Sequence, residues 1–358
     1  MCLCVIKTIT MAEKQRVEYI DLIKGIAIIL VVAGHCSLPL PEHLSNMLQH
    51  ARMPLFVFLS GLFFSTCGDS FKRLLVKKVS KLMVPYVTFR LLFMLMLPFT
   101  NEYFNLGMLK SIVYKFIHEG DLYQYNHPLW FLKMLFWQPL LAYCVELGLR
   151  KLPKAARLGV TIAVSLAAYG CNRYFWSICP ENVSPDMDFF IYKICLMPAL
   201  ILLPLYYAAY TYRDMILCPH KPLYMWLILP VAVAVWYFAT ECPTWYYGCF
   251  FTDSCLRLWM AQLGGIFVAY FIGYMLQRMP YVSYVGRYSL VVLATHVIVI
   301  DFAMNMLHIH NVYALFAIVL ATAPALIWLL TRYMPHFTAQ KDIFRVDENG
   351  KMKISFTD

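Results

Sequence analysis

The chain is poor in charge. Only 14% of its 358 residues are Asp, Glu, Lys or Arg, where a soluble domain carries about 25%. Acids are the scarcer sign, at 20 Asp and Glu against 30 Lys and Arg. Long stretches lack the polar helix faces that a water-soluble fold of this size would show, which excludes a soluble globular class. There is no internal repeat, linker or low-complexity tract, so the chain reads as one domain. The twelve cysteines show no metal-ligand spacing, and no metal is expected. A cleavable signal peptide is not expected either. The first apolar run lacks a small-residue cleavage site, and the helix after it is long enough to stay in a membrane. Met11, opening a polar run to Arg16, stands as an alternative start.

What fills the chain is apolar: 61% of residues are hydrophobic and the mean hydropathy is +0.63. A helix spans a bilayer core with roughly 20 mostly apolar residues, because every backbone group must be satisfied within the segment. Such stretches lie at 19–38, 50–67, 83–100, 128–148, 158–176, 189–212, 223–240, 253–276, 286–307 and 312–332. The sequence thus predicts an all-α polytopic membrane protein, a bundle of about ten transmembrane helices over 19–332. A leader over 1–18 and a tail over 333–358 flank it. Pro54, Pro198 and Pro204 are tolerable there, since neighbouring helices re-satisfy freed carbonyls. Residues 107–118, within the longest connection, are expected to form an interfacial helix carrying Lys110 and Lys115.

Orientation follows from the basic residues. With the amino terminus inside, the inside loops and tails hold 21 of the 30 Lys and Arg. The outside loops hold mainly Lys110 and Lys115 against Glu42, Glu102, Glu119, Asp121, Glu181, Asp186, Asp188 and Glu241. Both termini are therefore predicted to be cytoplasmic. The net charge of +10 is then a topology signal and implies no nucleic-acid partner. Near the outer face Cys171 with Cys179, or Cys242 with Cys249, could pair in an oxidising compartment.

Embedded charges are where function is to be sought, because each is costly without a task or a partner. The first helix carries Lys24 and His35, eleven residues apart. That spacing is three turns plus roughly 20°, so both share a face about 16 Å apart along the axis. Two readings stand: a snorkelling lysine and a helix-end histidine, or two functional groups on one face. Arg52 opens the next helix at about the depth of His35 and could bind an anion or reach headgroups. The following loop concentrates Lys72, Arg73, Lys77, Lys78 and Lys81 on the cytoplasmic side. It serves either topology and anionic lipids, or a polyphosphorylated cosubstrate. Lys133, Lys193, Arg257 and Asp301 are further embedded charges that could pair or line a cavity.

These residues resemble a family. Asp21–Lys24–Gly25 running to Gly34–His35 is similar to the first-helix signature of acyltransferase family three, integral-membrane O-acyltransferases: a basic residue, ten positions, then His. Further stretches match in order. They are Met53–Phe56 with Phe58–Gly61, the basic loop closing at Pro85–Tyr86, His127–Leu132, and Val285–Ser289 leading to His296. The resemblance covers 19–296. One departure is Arg52, at a position the family often fills with His.

The resemblance implies acyl transfer, commonly of acetyl, from cytoplasmic acetyl-CoA to a hydroxyl of a sugar, glycan or lipid-linked glycan at the plasma membrane. It implies His35 as general base or acyl carrier. Lys24, Lys72, Arg73, Lys77 and Lys81 become ligands of the CoA phosphates. Arg52, or backbone N–H groups freed by Pro54, would face the oxyanion. Glu42 would orient His35 if the outer loop folds back. Trp130 is a stacking platform or an interface anchor. His127, Ser289 and His296 are candidate acceptor contacts, and the last two share a helix face or brace the bundle. The competing class is a glycan or glycolipid transporter, which would explain the helices and embedded charges equally well. It would need no basic inner loop, and the paired broken helices of repeated halves are not apparent.

Overall fold

The apolar stretches become helices wherever the chain is described, and short polar or proline-containing segments end them. The computed structural model describes residues 17–68, 70–100, 105–119, 126–178, 190–217, 222–240, 244–246, 249–251, 254–347 and 350–354. The helices are α1 Glu18–His35, α2 Glu42–Leu62, α3 Phe71–Lys78, α4 Val84–Thr100, α5 Leu106–Glu119, α6 Trp130–Gly148, α7 Lys154–Ile178 and α8 Phe190–Lys193. They continue as α9 Leu196–Thr211, α10 Arg213–Leu217, α11 Pro222–Ala239, α12 Cys255–Leu276, α13 Pro280–Arg287, α14 Ser289–Asn305 and α15 Val312–Tyr333. Two small antiparallel hairpins complete the fold: β1 Thr244–Tyr246 with β2 Cys249–Phe251, and β3 Phe344–Val346 with β4 Met352–Ile354.

Each of the expected segments is largely helical, but helical does not mean spanning. Among the described residues three helices are long and apolar enough to cross a membrane: Phe71–Phe99, Cys255–Leu276 and Val312–Tyr333. The pair Pro280–Arg287 and Ser289–Asn305 makes a fourth if its 91° bend is taken as a broken span. The chain is an all-α membrane protein with three or four such helices by length and composition. Some of the remaining helices are too short, and α1 carries Glu18, Asp21 and Lys24 within eighteen residues.

Two expected loops are helix instead. The second helix starts at Glu42 rather than 50, with Pro41 ahead of it and an acid in the first turn, where it complements the helix dipole. The basic loop is also helical. Ser70 caps α3 by accepting from the Arg73 N–H at 3.3 Å, and a π-helical turn, Val79–Met83, carries the chain into α4. The expected interfacial helix at 107–118 is α5.

Helix α1 is central, packing on α2, α12, α13 and α14. Its contact with α13 is made backbone to backbone. A Cβ at Gly286 would run into the Asp21 carbonyl and Gly25, and one at Gly25 into the Val282 carbonyl. Small residues permit such approach in membrane bundles. The bend after α13 then returns α14 along α1, towards its far end.

The segments carrying the inner-loop charges gather at one end of the bundle. Arg278 pairs with Glu18 at 3.5 Å, and the Tyr19 hydroxyl donates to the Leu217 carbonyl at 3.4 Å. Lys154 and Arg213 both stand over the Tyr210 ring, at 5.5 and 5.9 Å. Arg157 pairs with the buried Glu146 at 2.8 Å, and Glu146 also accepts from the Tyr207 hydroxyl. Of the other embedded charges, Lys133 donates to the Lys193 carbonyl at 2.6 Å and Arg257 is exposed at an apolar groove. Each outer cysteine pair includes a residue outside the described ones, Cys179 or Cys242.

Candidate active site

The end of α1 opens on a cavity of about 400 Å³ whose lining includes Gly34, His35, Ser37, Ser45, Gln49 and Arg52. His35 is exposed, and its exposure faces this space. Gly34 matters because of Arg52: a Cβ there would meet the guanidinium, so glycine lets Arg52 lie flat on α1. Arg52 Nη1 donates to the Leu30 carbonyl at 3.3 Å. Among the described residues no carboxylate pairs with Arg52.

Behind His35 stands His296 of α14, 1% exposed, with ring centroids 5.0 Å apart and planes at 58°. His296 Nδ1 lies 2.9 Å from the Val292 carbonyl. A carbonyl only accepts, so Nδ1 carries the proton and Nε2 presents a lone pair. That Nε2 is buried without a partner among the described residues. Asn126 adopts a left-handed conformation (φ 53°) and donates from Nδ2 to the Ala294 carbonyl at 2.8 Å. This clamps the 3₁₀ turn His127–Leu129 to α14, two residues from His296. His127 and Arg52 both lie within electrostatic range of His35.

Glu42 is not part of this cluster. It sits exposed in the first turn of α2 and does not line the cavity, because the expected fold-back loop is helix there. The ring that stands against His35 is that of His296. Trp130 is 3% exposed and packs edge-on against Phe131 at 5.8 Å, a core position that shows no face to either cavity.

A second cavity, of about 140 Å³, lies towards the other end of α1, with Lys24, Ser60, Leu82, Met53, Ser289 and Leu293 in its wall. Lys24 Nζ stands 5.5 Å from the Phe63 ring centroid. Ser289 lines this cavity while His296, roughly 10 Å further along at helical rise, does not. Lys72, Arg73 and Lys77 are exposed on α3, and Lys81 sits in the π-helical turn beside Leu82 of the cavity wall. A further cavity, about 750 Å³ between α11 and α12, is apolar, and its wall holds no carboxylate, histidine or cation.

Some buried polar groups escape sequence reasoning. Asn126 has no motif of its own, and only its place before His127–Pro128 hints at a turn. Arg90 is 1% exposed in α4 with its guanidinium 5.2 Å from the Tyr86 ring, hidden in sequence by its apolar surroundings. The meeting of His35 with His296 depends on the 91° bend, which periodicity does not reveal.

A family model for the acyltransferase domain matches residues 17–332, nearly the whole chain and every element just described except the tail. No curated protein and no solved structure matches the chain. With α1, the two cavities and the histidine pair all inside the matched range, the chain belongs to acyltransferase family 3.

Proposed function

We propose that the protein moves an acetyl group from cytoplasmic acetyl-CoA to a hydroxyl of a sugar, glycan or lipid-linked glycan at the plasma membrane, with His35 as general base. The observation that carries this reading is that one helix serves two cavities. His35 stands in a polar space at one end of α1, and Lys24 lines a second space at the other. An acceptor entering by the first and a phosphate-bearing donor by the second would meet along α1. Membership of the acyltransferase family sets the transporter alternative aside.

In the proposed step a His35 nitrogen takes the proton of the acceptor hydroxyl as that oxygen bonds to the thioester carbonyl carbon. Arg52 faces the oxyanion that forms, in a site where a fixed cation acts with little competition from water. The carbon–sulfur bond then breaks, and the His35 imidazolium returns its proton to the sulfur. Free CoA thiol and an acetyl ester result. The His296 Nε2 lone pair is suited to hold the N–H of His35, leaving the other His35 nitrogen for the transfer. Their ring centroids already stand 5.0 Å apart, so turning the His35 ring would make the contact, as catalytic contacts commonly tighten around substrate. An acyl-histidine intermediate would use the same His35 nitrogen, and CoA thiol would then leave before the acceptor reacts.

The experiment is transfer of labelled acetyl from acetyl-CoA by detergent-purified protein into membrane glycan. Label must appear as an ester released by mild base, and its absence with every glycan fraction tested would reject the acceptor class.

On the donor side, Lys24, Lys72, Arg73, Lys77 and Lys81 are proposed to hold the CoA phosphates. Neutralising Lys72, Arg73 and Lys77 together should raise the donor KM and leave the acceptor KM nearly alone. An unchanged donor KM reassigns the segment to anionic lipid and topology. That assignment places both termini in the cytoplasm. Reporter fusions at residue 358 and within 177–188 should accordingly label opposite faces. Labelling on one face would mean that the number of spans between them is off by one.

A further inference from the structure

The basic segment is not bare. Lys72 Nζ donates to the Gly350 carbonyl at 2.5 Å, and Arg73 Nη2 to the Asp347 carbonyl at 3.4 Å. Lys81 Nζ donates to the Ala339 carbonyl at 2.7 Å and pairs with Asp342 at 3.1 Å. Ser80 Oγ accepts from the backbone N–H of Ile343 at 2.7 Å and of Phe344 at 3.4 Å. Ile343, 3% exposed, is the buried anchor of this contact. The partners of Lys72, Arg73, Ser80 and Lys81 all belong to the stretch after α15, which folds back across α3 and the π-helical turn and ends in the β3–β4 hairpin.

The chemistry of the contact is that of an anion site filled from within the chain. Carbonyl oxygens and one carboxylate stand where a phosphate would place its oxygens, and a phosphate dianion is the stronger partner for Lys and Arg. Within the basic segment Lys81 stands next to the second cavity, since its neighbour Leu82 lines that cavity with Lys24. The Lys81–Asp342 pair is partly exposed, at 30% and 25%, a setting in which ion pairs are weak and exchangeable. The arms of the contact are therefore displaceable while its anchor is firm.

We propose that residues 334–347 with 350–354 form a strap that competes with the phosphates of the donor for Lys72, Arg73 and Lys81. Donor binding opens the strap, and the strap in turn holds the donor site closed when acetyl-CoA is scarce. This rests on the reading of the basic segment as the donor site. With the open form a minor population, apparent donor affinity is reduced by the open fraction.

The test uses the detergent-purified full chain and adenosine 3′,5′-bisphosphate as probe, titrated calorimetrically. Ile343→Asp should free the strap and tighten binding by roughly tenfold, the factor for an open fraction near one tenth. Asp342→Asn, milder and safe for folding, should tighten it less. Because Asp342→Asn also adds positive charge, hydrogen exchange supplies the independent readout. In the unaltered protein the Ile343 and Phe344 amides, and those of 350–354, should exchange faster once the probe is bound. Equal or weaker binding by both variants, with exchange unchanged, overturns the strap while leaving the donor site standing. If none of the three proteins binds the probe, the donor-site reading falls and the strap with it. Should Ile343→Asp fail to fold, Asp342→Asn and the exchange measurement decide alone.

Discussion

Replacing His35 by alanine is expected to lower acetyl transfer by about 10²–10⁴-fold, the usual worth of a positioned general base. The protein should still reach the membrane and still bind the donor. Both expectations come from geometry. His35 is exposed to a cavity at the end of α1 and meets the His296 ring on its inner side, so its removal trims the cavity wall rather than the core of the bundle. The helix is held elsewhere, by the close approach of Gly25 and Gly286. Lys24, the proposed donor ligand on the same helix, lies about 16 Å away at helical rise, beyond the reach of a truncated side chain. The check is turnover beside calorimetric donor binding. A fall in both together would make His35 structural.

Arg52→Leu is expected to cost about 10²–10³-fold in kcat, the scale for removing a donor to a developing oxyanion. Stability should change little. The guanidinium is half-buried with one bond, to the Leu30 carbonyl, and among the described residues no carboxylate that its loss would strand. Arg52→Lys should restore part of the rate, since it keeps the charge and loses the planar fork. Steady-state kinetics in both substrates separates the roles. A rise confined to the acceptor KM, with kcat intact, would move Arg52 from the oxyanion to an anionic group on the acceptor.

The helices were legible because a bilayer demands long apolar runs, and such runs survive reading without a partner structure. Lys24 and His35 were legible for a related reason: helical periodicity fixes which residues share a face. Charge content misled at two places. The 39–49 and 68–82 stretches read as loops because they are polar, yet α2 begins at Glu42 and α3 at Phe71. Polar residues are no bar to helix where one side still buries Met47 or Leu74. Glu42 would orient His35 only from a loop that folds back, and it stands instead in the first turn of α2. Trp130 shows the limit for aromatics, since sequence cannot tell a stacking platform from a core ring. What periodicity could not carry was anything set by a bend or by long-range contact. His296 reaches His35 through the turn between α13 and α14, and the tail reaches Lys81 across more than 250 residues of chain.

The central claim is that His35 accepts a proton rather than simply filling or polarising its cavity. Glutamine tests it most directly, since an amide can hydrogen-bond at that position but cannot take the proton. The measurement is the release of CoA thiol from acetyl-CoA with acceptor present, by the unaltered protein and by His35→Gln at matched donor saturation. Release should be rapid in the first and as slow in the second as in His35→Ala. Near-normal release by His35→Gln would contradict the account and move the base to His127 or His296.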